Sequence, residues 1–171
     1  RLPVCRLAIS LHRTTNVSGD TMLDQAVPDF TLAVTGNPAF SLSSLHGQKV
    51  VLYFYPKDST PGCTTESQNF RDLHDEFVTA GAVVLGISRD SIKSHDNFRA
   101  KQALPFDLVS DPDETACNLF GVMKLKNMYG KQLRGIERST FVIDAAGILR
   151  REWRGVKVPG HAQEVLDYIK T

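Results

Sequence analysis

Six apolar or aromatic residues stand in an unbroken row from Val50 to Tyr55 and run straight into Pro56. The row is far too short to cross a bilayer, and it has no polar alternate to offer water. It therefore reads as a strand buried on both faces, in the middle of a sheet. Such a strand demands further layers above and below it. The rest of the chain supplies them in alternation. "AVVLGIS" (82–88) and "FDLVS" (106–110) are further strands. Between these strands, Phe70, Leu73, Phe77 and Val78 recur at helical spacing and close on Gly81. A second helix, capped by Asp90 or Ser91, runs through Leu104.

Upstream, "DFTLAV" and "AFSLSSL" flank the turn cluster "TGNP", which predicts an N-terminal hairpin. Downstream, Asp111-Pro112 opens a short helix holding Cys117 and Phe120, "STFVID" and "ILRREWRGV" form a hairpin about "AAG", and a last helix puts Ala162, Val165, Leu166 and Ile169 on one face. The order predicts an α/β fold of thioredoxin-like arrangement, with a central mixed sheet flanked by helices. It forms one domain, residues 22–171. Residues 1–21 differ: Arg1, Arg6 and Arg13 face only Asp20, a balance of 3 − 1 = +2, leaving 17 − 18 = −1 for the remainder. This segment fits an organelle-targeting remnant or a translated stretch ahead of a start at Met22, and it is expected to be a disordered extension.

Twenty basic and nineteen acidic residues give a net charge of +1, which leaves no electrostatic footprint for nucleic acid or an anionic membrane. Small molecules or other proteins are the expected partners. Cys5, Cys63 and Cys117 are too few for a disulfide framework, so a reducing compartment, the cytoplasm, is expected. No local grouping joins them to a histidine in the manner of a zinc site.

One cysteine stands apart. "PKDSTPGCTTE" places Cys63 where the central strand has ended and a helix is about to begin, near Thr64. There its sulfur meets unpaired N–H groups and the positive end of the helix dipole, a setting that favours thiolate. Pro61 fixes its own φ and donates no N–H, Gly62 lets backbone approach a small ligand, and the Thr60 hydroxyl can return to the same pocket. Glu66, placed in the first turn, suits the dipole or orients a distant arginine. A lone cysteine is usually inert filler. The Pro, Thr, Pro and Gly around Cys63 argue otherwise, whereas Cys117, in an amphipathic helix beside Leu119 and Phe120, keeps the inert reading. His161 is assigned a capping or surface role and Trp153 a packing role. Phe54 and Tyr55 are left between core and site.

Pro56, Thr60 and Cys63 spell P-x-x-x-T-x-x-C, and with "RSTFVID" from Arg138 and "VKVPGHAQEVL" the chain resembles the peroxiredoxins of the bacterioferritin comigratory protein (PrxQ) subfamily over residues 22–171. The resemblance implies a peroxidase without metal or organic cofactor, reducing hydrogen peroxide and organic hydroperoxides. Cys63 is its nucleophile, Thr60 and Arg138 assist, and Pro56, Gly62 and Glu66 border the substrate. Many subfamily members carry a resolving cysteine five residues after the first, or about thirty-five residues on. Here those places read Gln68 and "HDNFRAK". A one-cysteine cycle is expected, with thioredoxin, glutaredoxin or glutathione as reductant, Cys117 taking no part, and the protein a monomer. A dithiol oxidoreductase needs C-x-x-C, and Glu66 occupies the fourth place. A peroxide-sensing or holdase module using the same thiol is the other reading.

Overall fold

The central row is strand β3, Lys49–Phe54, and every residue from Val50 onward in it is buried. In this computed structural model, which describes residues 22–171, it lies between two partners. Strand β4 (Ala82–Ser88) runs parallel on one side, with Leu52 opposite Leu85. Strand β8 (Ser139–Ile143) runs antiparallel on the other, with Leu52 opposite Phe141. The remaining strands are β1 (Thr31–Val34), β2 (Asn37–Ser41), β5 (Leu108–Ser110) and β9 (Leu149–Arg154), giving a seven-stranded mixed sheet in the order β2-β1-β5-β4-β3-β8-β9. Pro38 sits in β2, an edge strand, where its missing N–H costs no ladder bond. The extension expected over residues 1–21, with Cys5, lies outside the described residues.

Alternation along β3 divides the core in two. Val50, Leu52 and Phe54 face a layer with Phe120, Phe141, Ile143 and Cys117. Val51, Tyr53 and Tyr55 face another with Phe70, Phe77, Phe98 and Cys63. The helices are α1 (Pro61–Asp72), α2 (His74–Thr79), α3 (Ile92–Gln102), α4 (Thr115–Leu119) and α5 (His161–Ile169). On α5, Ala162, Val165, Leu166 and Ile169 are buried, as the periodicity predicts.

Two expectations need correction, and one element had no expectation attached to it. The helix after Cys63 begins at Pro61 rather than Thr64, because Pro61 takes the first helical position and Thr60 the cap. That helix also breaks at Leu73 (φ −99, ψ 2), which rephases the chain so that Val78, expected on the buried face, is 56% exposed. Finally, a hairpin of β6 (Met123–Met128) and β7 (Lys131–Ile136) stands apart from the main sheet. Its two-residue turn, Tyr129-Gly130, has both φ values positive (53 and 75), the type I′ geometry that fits strand twist. A tyrosine in place of the usual Asn hides that signal, and the strands carry lysines in place of alternating hydrophobics.

Gly86 shows how tightly β4 is packed. A Cβ there lies 2.8 Å from Tyr53 Cζ, Tyr53 Oη and Leu108 Cδ2. Gly86→Ala is expected to cost about 1–3 kcal/mol by overpacking. Thermal unfolding checks this, at roughly 2–4 °C of Tm per kcal/mol for a domain of this size.

Candidate active site

Strand β3 delivers the chain to the carboxyl edge of the sheet, where open α/β sheets bind ligands. There Tyr55, whose N–H still pairs with the Ile87 carbonyl, opens a loop that ends at Thr60. Helix α1 then returns across the sheet with Cys63, Glu66, Ser67 and Phe70 turned inward, at i, i+3, i+4 and i+7. Three of those four inward side chains are chemistry rather than hydrocarbon. Tyr53 pins it: its hydroxyl lies 2.9 Å from Ser67 Oγ, and its ring stacks on Phe70 at 4.7 Å.

Cys63 is the third residue of α1, so its N–H and that of Gly62 have no carbonyl partner within the helix. Arg138, entering from the start of β8, donates from Nη2 to Cys63 Sγ (3.4 Å) and from Nη1 to Glu66 Oε1 (2.8 Å). Gly62 makes room for it, since a Cβ there stands 3.2 Å from Arg138 Nη2. Burial alone works to discharge Arg138, but the charges of Glu66 and Cys63 outweigh it and hold the guanidinium protonated. The sulfur is 1% exposed, so a small oxidant reaches it more readily than a bulky thiol does.

The other expected site residues fall as follows. Thr60 is the N-cap residue, half-buried, and its Oγ1 donates to the Lys57 carbonyl at 2.8 Å. With its proton committed there, the hydroxyl keeps lone pairs for accepting a hydrogen bond. Pro56 is half-buried at the loop's start. Because the helix starts early, Glu66 lies in the second turn rather than the first, 1% exposed, and its contact with the site runs through Arg138. Gln68 bonds Gln102 Oε1 at 2.8 Å.

The Arg138–Glu66 pair looks different from its two ends. Burial pushes the Glu66 carboxyl up to about 7 against the opposing pull of Arg138, and Oε2 is buried with no hydrogen-bond partner among the described residues. Below about pH 4.5 this carboxyl is neutral in folded and unfolded chain alike. As pH rises from there to about 7, the unfolded chain releases the proton while the folded one keeps it, so stability falls across that window. Glu66→Gln is expected to flatten the fall, as read from denaturant midpoints across the same range.

Cys117 lies in the layer on the opposite side of the sheet from Cys63, fully buried, its thiol pushed up by burial and by Asp111. His161 corrects the surface assignment: it is 4% exposed, 2.7 Å from Thr140 Oγ1, and edge-on to Phe70 and Trp153. Burial, with some help from Arg138, lowers it to about 4, which keeps it neutral. The sequence reading missed one polar cluster. Asp58, Asp90 and His95 bring their ligand atoms within 4.8 Å of one another, the only such group of metal-binding type among the described residues. Local spacing gave no signal for residues so far apart in sequence, and their atoms are already engaged in hydrogen bonds.

Comparison with known proteins decides the family. The AhpC/TSA family matches residues 23–152. The chain belongs to the AhpC/TSA family. Peroxiredoxin Bcp of Xanthomonas campestris pv. campestris is 55% identical to this AhpC/TSA member over 148 residues, covering 86% of this chain and 92% of the relative. Peroxiredoxin Bcp of Bacillus subtilis is 47% identical over 148 residues, covering 86% and 94%. Among solved structures, Xanthomonas campestris Peroxiredoxin Q superposes with a TM-score of 0.79 at 55% identity, covering 82% of this chain and 89% of that one. A cysteine mutant of Xylella fastidiosa PrxQ gives 0.80 at 49% identity, covering 89% and 94%. These relatives carry the thioredoxin-like fold expected from the sequence, and they are peroxiredoxins of the subfamily it resembles. The bacterioferritin comigratory protein of Xanthomonas campestris, with the same identity and TM-score, has been solved in trapped intermediate and ligand complexes bearing on its alkyl peroxide reduction activity.

Proposed function

We propose that the chain is a thiol-dependent peroxidase acting on hydrogen peroxide and organic hydroperoxides through Cys63, in a one-cysteine cycle completed by an external thiol. The observation that carries the reading is the Arg138 contact with Cys63 Sγ at 3.4 Å, at the N-terminus of α1. Positive charge and unpaired N–H groups converge there on one sulfur.

The thiolate attacks one peroxide oxygen. An S–O bond forms as the O–O bond breaks, and the departing hydroxide or alkoxide takes up a proton to leave as water or alcohol. Negative charge moves from sulfur to the leaving oxygen, and Arg138 with the Gly62 and Cys63 N–H groups stabilises both ends of that shift. Thr60, a lone-pair acceptor, receives the peroxide's O–H and aims it. Gly62 keeps Arg138 close, Pro56 borders the loop, and Glu66 holds the guanidinium through Nη1. No metal or organic cofactor is needed. A monomer is the proposed form, since the groups named here can all be drawn from one chain.

A donor thiol, whether thioredoxin, glutaredoxin or glutathione, then condenses with the sulfenic acid, releasing water and leaving a mixed disulfide that a second thiol resolves. With Cys63 1% exposed, that step requires the first turn of α1 to open. Cys117, across the sheet, is in no position to take the donor's place. Thiol-dependent recycling fits a reducing compartment such as the cytoplasm, and among the described residues no helix is long and apolar enough to cross a membrane.

The test is steady-state turnover with each donor for the wild type and Cys117→Ser. Retained turnover in Cys117→Ser supports the one-cysteine cycle, and its loss overturns it. A single stoichiometric oxidation that no donor reverses favours the sensing or holdase role instead.

A further inference from the structure

The loop that carries Thr60 does not hold its shape through its own preferences. Ser59, immediately before Thr60, has φ +61, a left-handed conformation that a residue with a side chain adopts only when its surroundings impose it. Asp58, just before it, is held from outside the loop. The Asp58 N–H donates to Asp90 Oδ2 at 2.9 Å, and Ser88 Oγ steadies that same oxygen at 2.5 Å. The Asp58 carboxylate, 3% exposed, accepts Tyr55 Oη on Oδ1 (2.6 Å), with Ser94 Oγ (2.8 Å) and His95 Nδ1 (2.7 Å) on Oδ2. Two places beyond the loop thus converge on one loop residue: the turn after β4, through Asp90, and α3, through Ser94 and His95.

His95 is wholly buried, and its other nitrogen, Nε2, lies 2.9 Å from the Val109 carbonyl. A carbonyl only accepts, so Nε2 carries a proton. Burial acts to raise the Asp58 carboxyl, yet the bonds from His95 and Tyr55 and the charge of His95 outweigh it and hold Asp58 below the ordinary carboxylate range. Asp58 and His95 thus form a buried, hydrogen-bonded pair, Nδ1 to Oδ2 at 2.7 Å. Such pairs add little stability over a well-packed apolar substitute. Where they are retained, they specify geometry.

We propose that Asp58 and His95, with Tyr55 and Ser94, are positioning residues for peroxide reduction: they lock the loop so that the Lys57 carbonyl takes the Thr60 proton and the Thr60 lone pairs face the peroxide at Cys63. The proposal rests on the reading of Cys63 as the peroxide-reducing nucleophile. It assigns a purpose to a cluster that touches neither sulfur nor substrate. Removing the tether leaves Cys63 and Arg138 in place but releases Thr60, so reactions that use Thr60 suffer and those that use only the sulfur do not.

The full chain carrying His95→Gln, and separately Tyr55→Phe, tests this. Tyr55→Phe removes a single O–H and keeps the ring, so it retains the packing if His95→Gln does not fold. Two rates are measured for Cys63: oxidation by hydrogen peroxide in stopped flow, and alkylation by iodoacetamide followed on the Cys63 peptide. Peroxide oxidation is expected to fall at least about ten-fold in His95→Gln and several-fold in Tyr55→Phe, while alkylation holds or rises as the loop loosens. Equal losses in both reactions, or no change in either in a folded variant, overturns the tether. A wild-type chain whose Cys63 alkylates but does not oxidise with peroxide overturns the nucleophile reading itself, and the tether's purpose with it.

Discussion

With serine at position 63 the chain is expected to lose thiol-dependent peroxide consumption, by at least about a thousand-fold, the scale on which removal of a nucleophile acts. Serine is close in volume to cysteine and can accept from Arg138 in the sulfur's place, so the fold should survive and the loss be chemical. An alcohol bound to the same arginine remains protonated and cannot attack an O–O bond. The check is an assay with excess donor and hydrogen peroxide, alongside a thermal melt showing the variant folded. Residual turnover above the uncatalysed rate would place the reactive sulfur elsewhere. The only other described thiol is that of Cys117, which is fully buried and whose thiol is held protonated by burial.

Arg138→Ala carries the second large effect, and it acts twice. In the proposed reaction, loss of the donor on Cys63 Sγ removes the charge assigned to stabilising thiolate and leaving oxygen, and a fall of about 10²- to 10³-fold in the peroxide rate is expected. The same change strands Glu66, 1% exposed, without its partner. Breaking a buried pair from one side costs about 3–5 kcal/mol when the remaining charge stays ionised. Glu66 escapes part of that cost by taking a proton, so the loss of stability should be larger at pH 8 than at pH 5. Combining Arg138→Ala with Glu66→Gln is then expected to recover stability without recovering rate. Lysine at 138 is no substitute, since one ammonium does not reproduce a planar fork reaching Glu66 and Cys63 together. Stopped-flow oxidation and denaturant titration of the three variants separate the two effects.

The parts of this molecule that follow local rules were legible in the sequence. A doubly buried strand announces itself as an unbroken apolar run, and β3 and β4 were placed from that alone. The last helix declared its buried face, and Pro61-Gly62-Cys63 after a strand marked a helix N-terminus. The parts set by tertiary contact were not legible. The α1 stripe reads as beginning at Phe70 because Cys63, Glu66 and Ser67 are not hydrocarbon, although all four share one buried face. Its break at Leu73 leaves no Pro or Gly to signal it. Arg138 reached the site by resemblance, since position alone did not say whether it points inward. The cluster of Asp58, Asp90 and His95 joins residues from separate elements, and no spacing rule finds such a group before the fold assembles it. The β6–β7 hairpin was hidden by a tyrosine where the turn usually takes Asn or Gly.

One measurement bears most directly on the account. In the Cys5→Ser, Cys117→Ser double variant, Cys63 is the sole cysteine; one equivalent of hydrogen peroxide is added, the product is trapped with dimedone, and the peptide mass is read. Near-stoichiometric label on Cys63, formed as fast as in the wild type, is expected, with full turnover when a donor thiol follows. An unlabelled Cys63 with peroxide left unconsumed would contradict it.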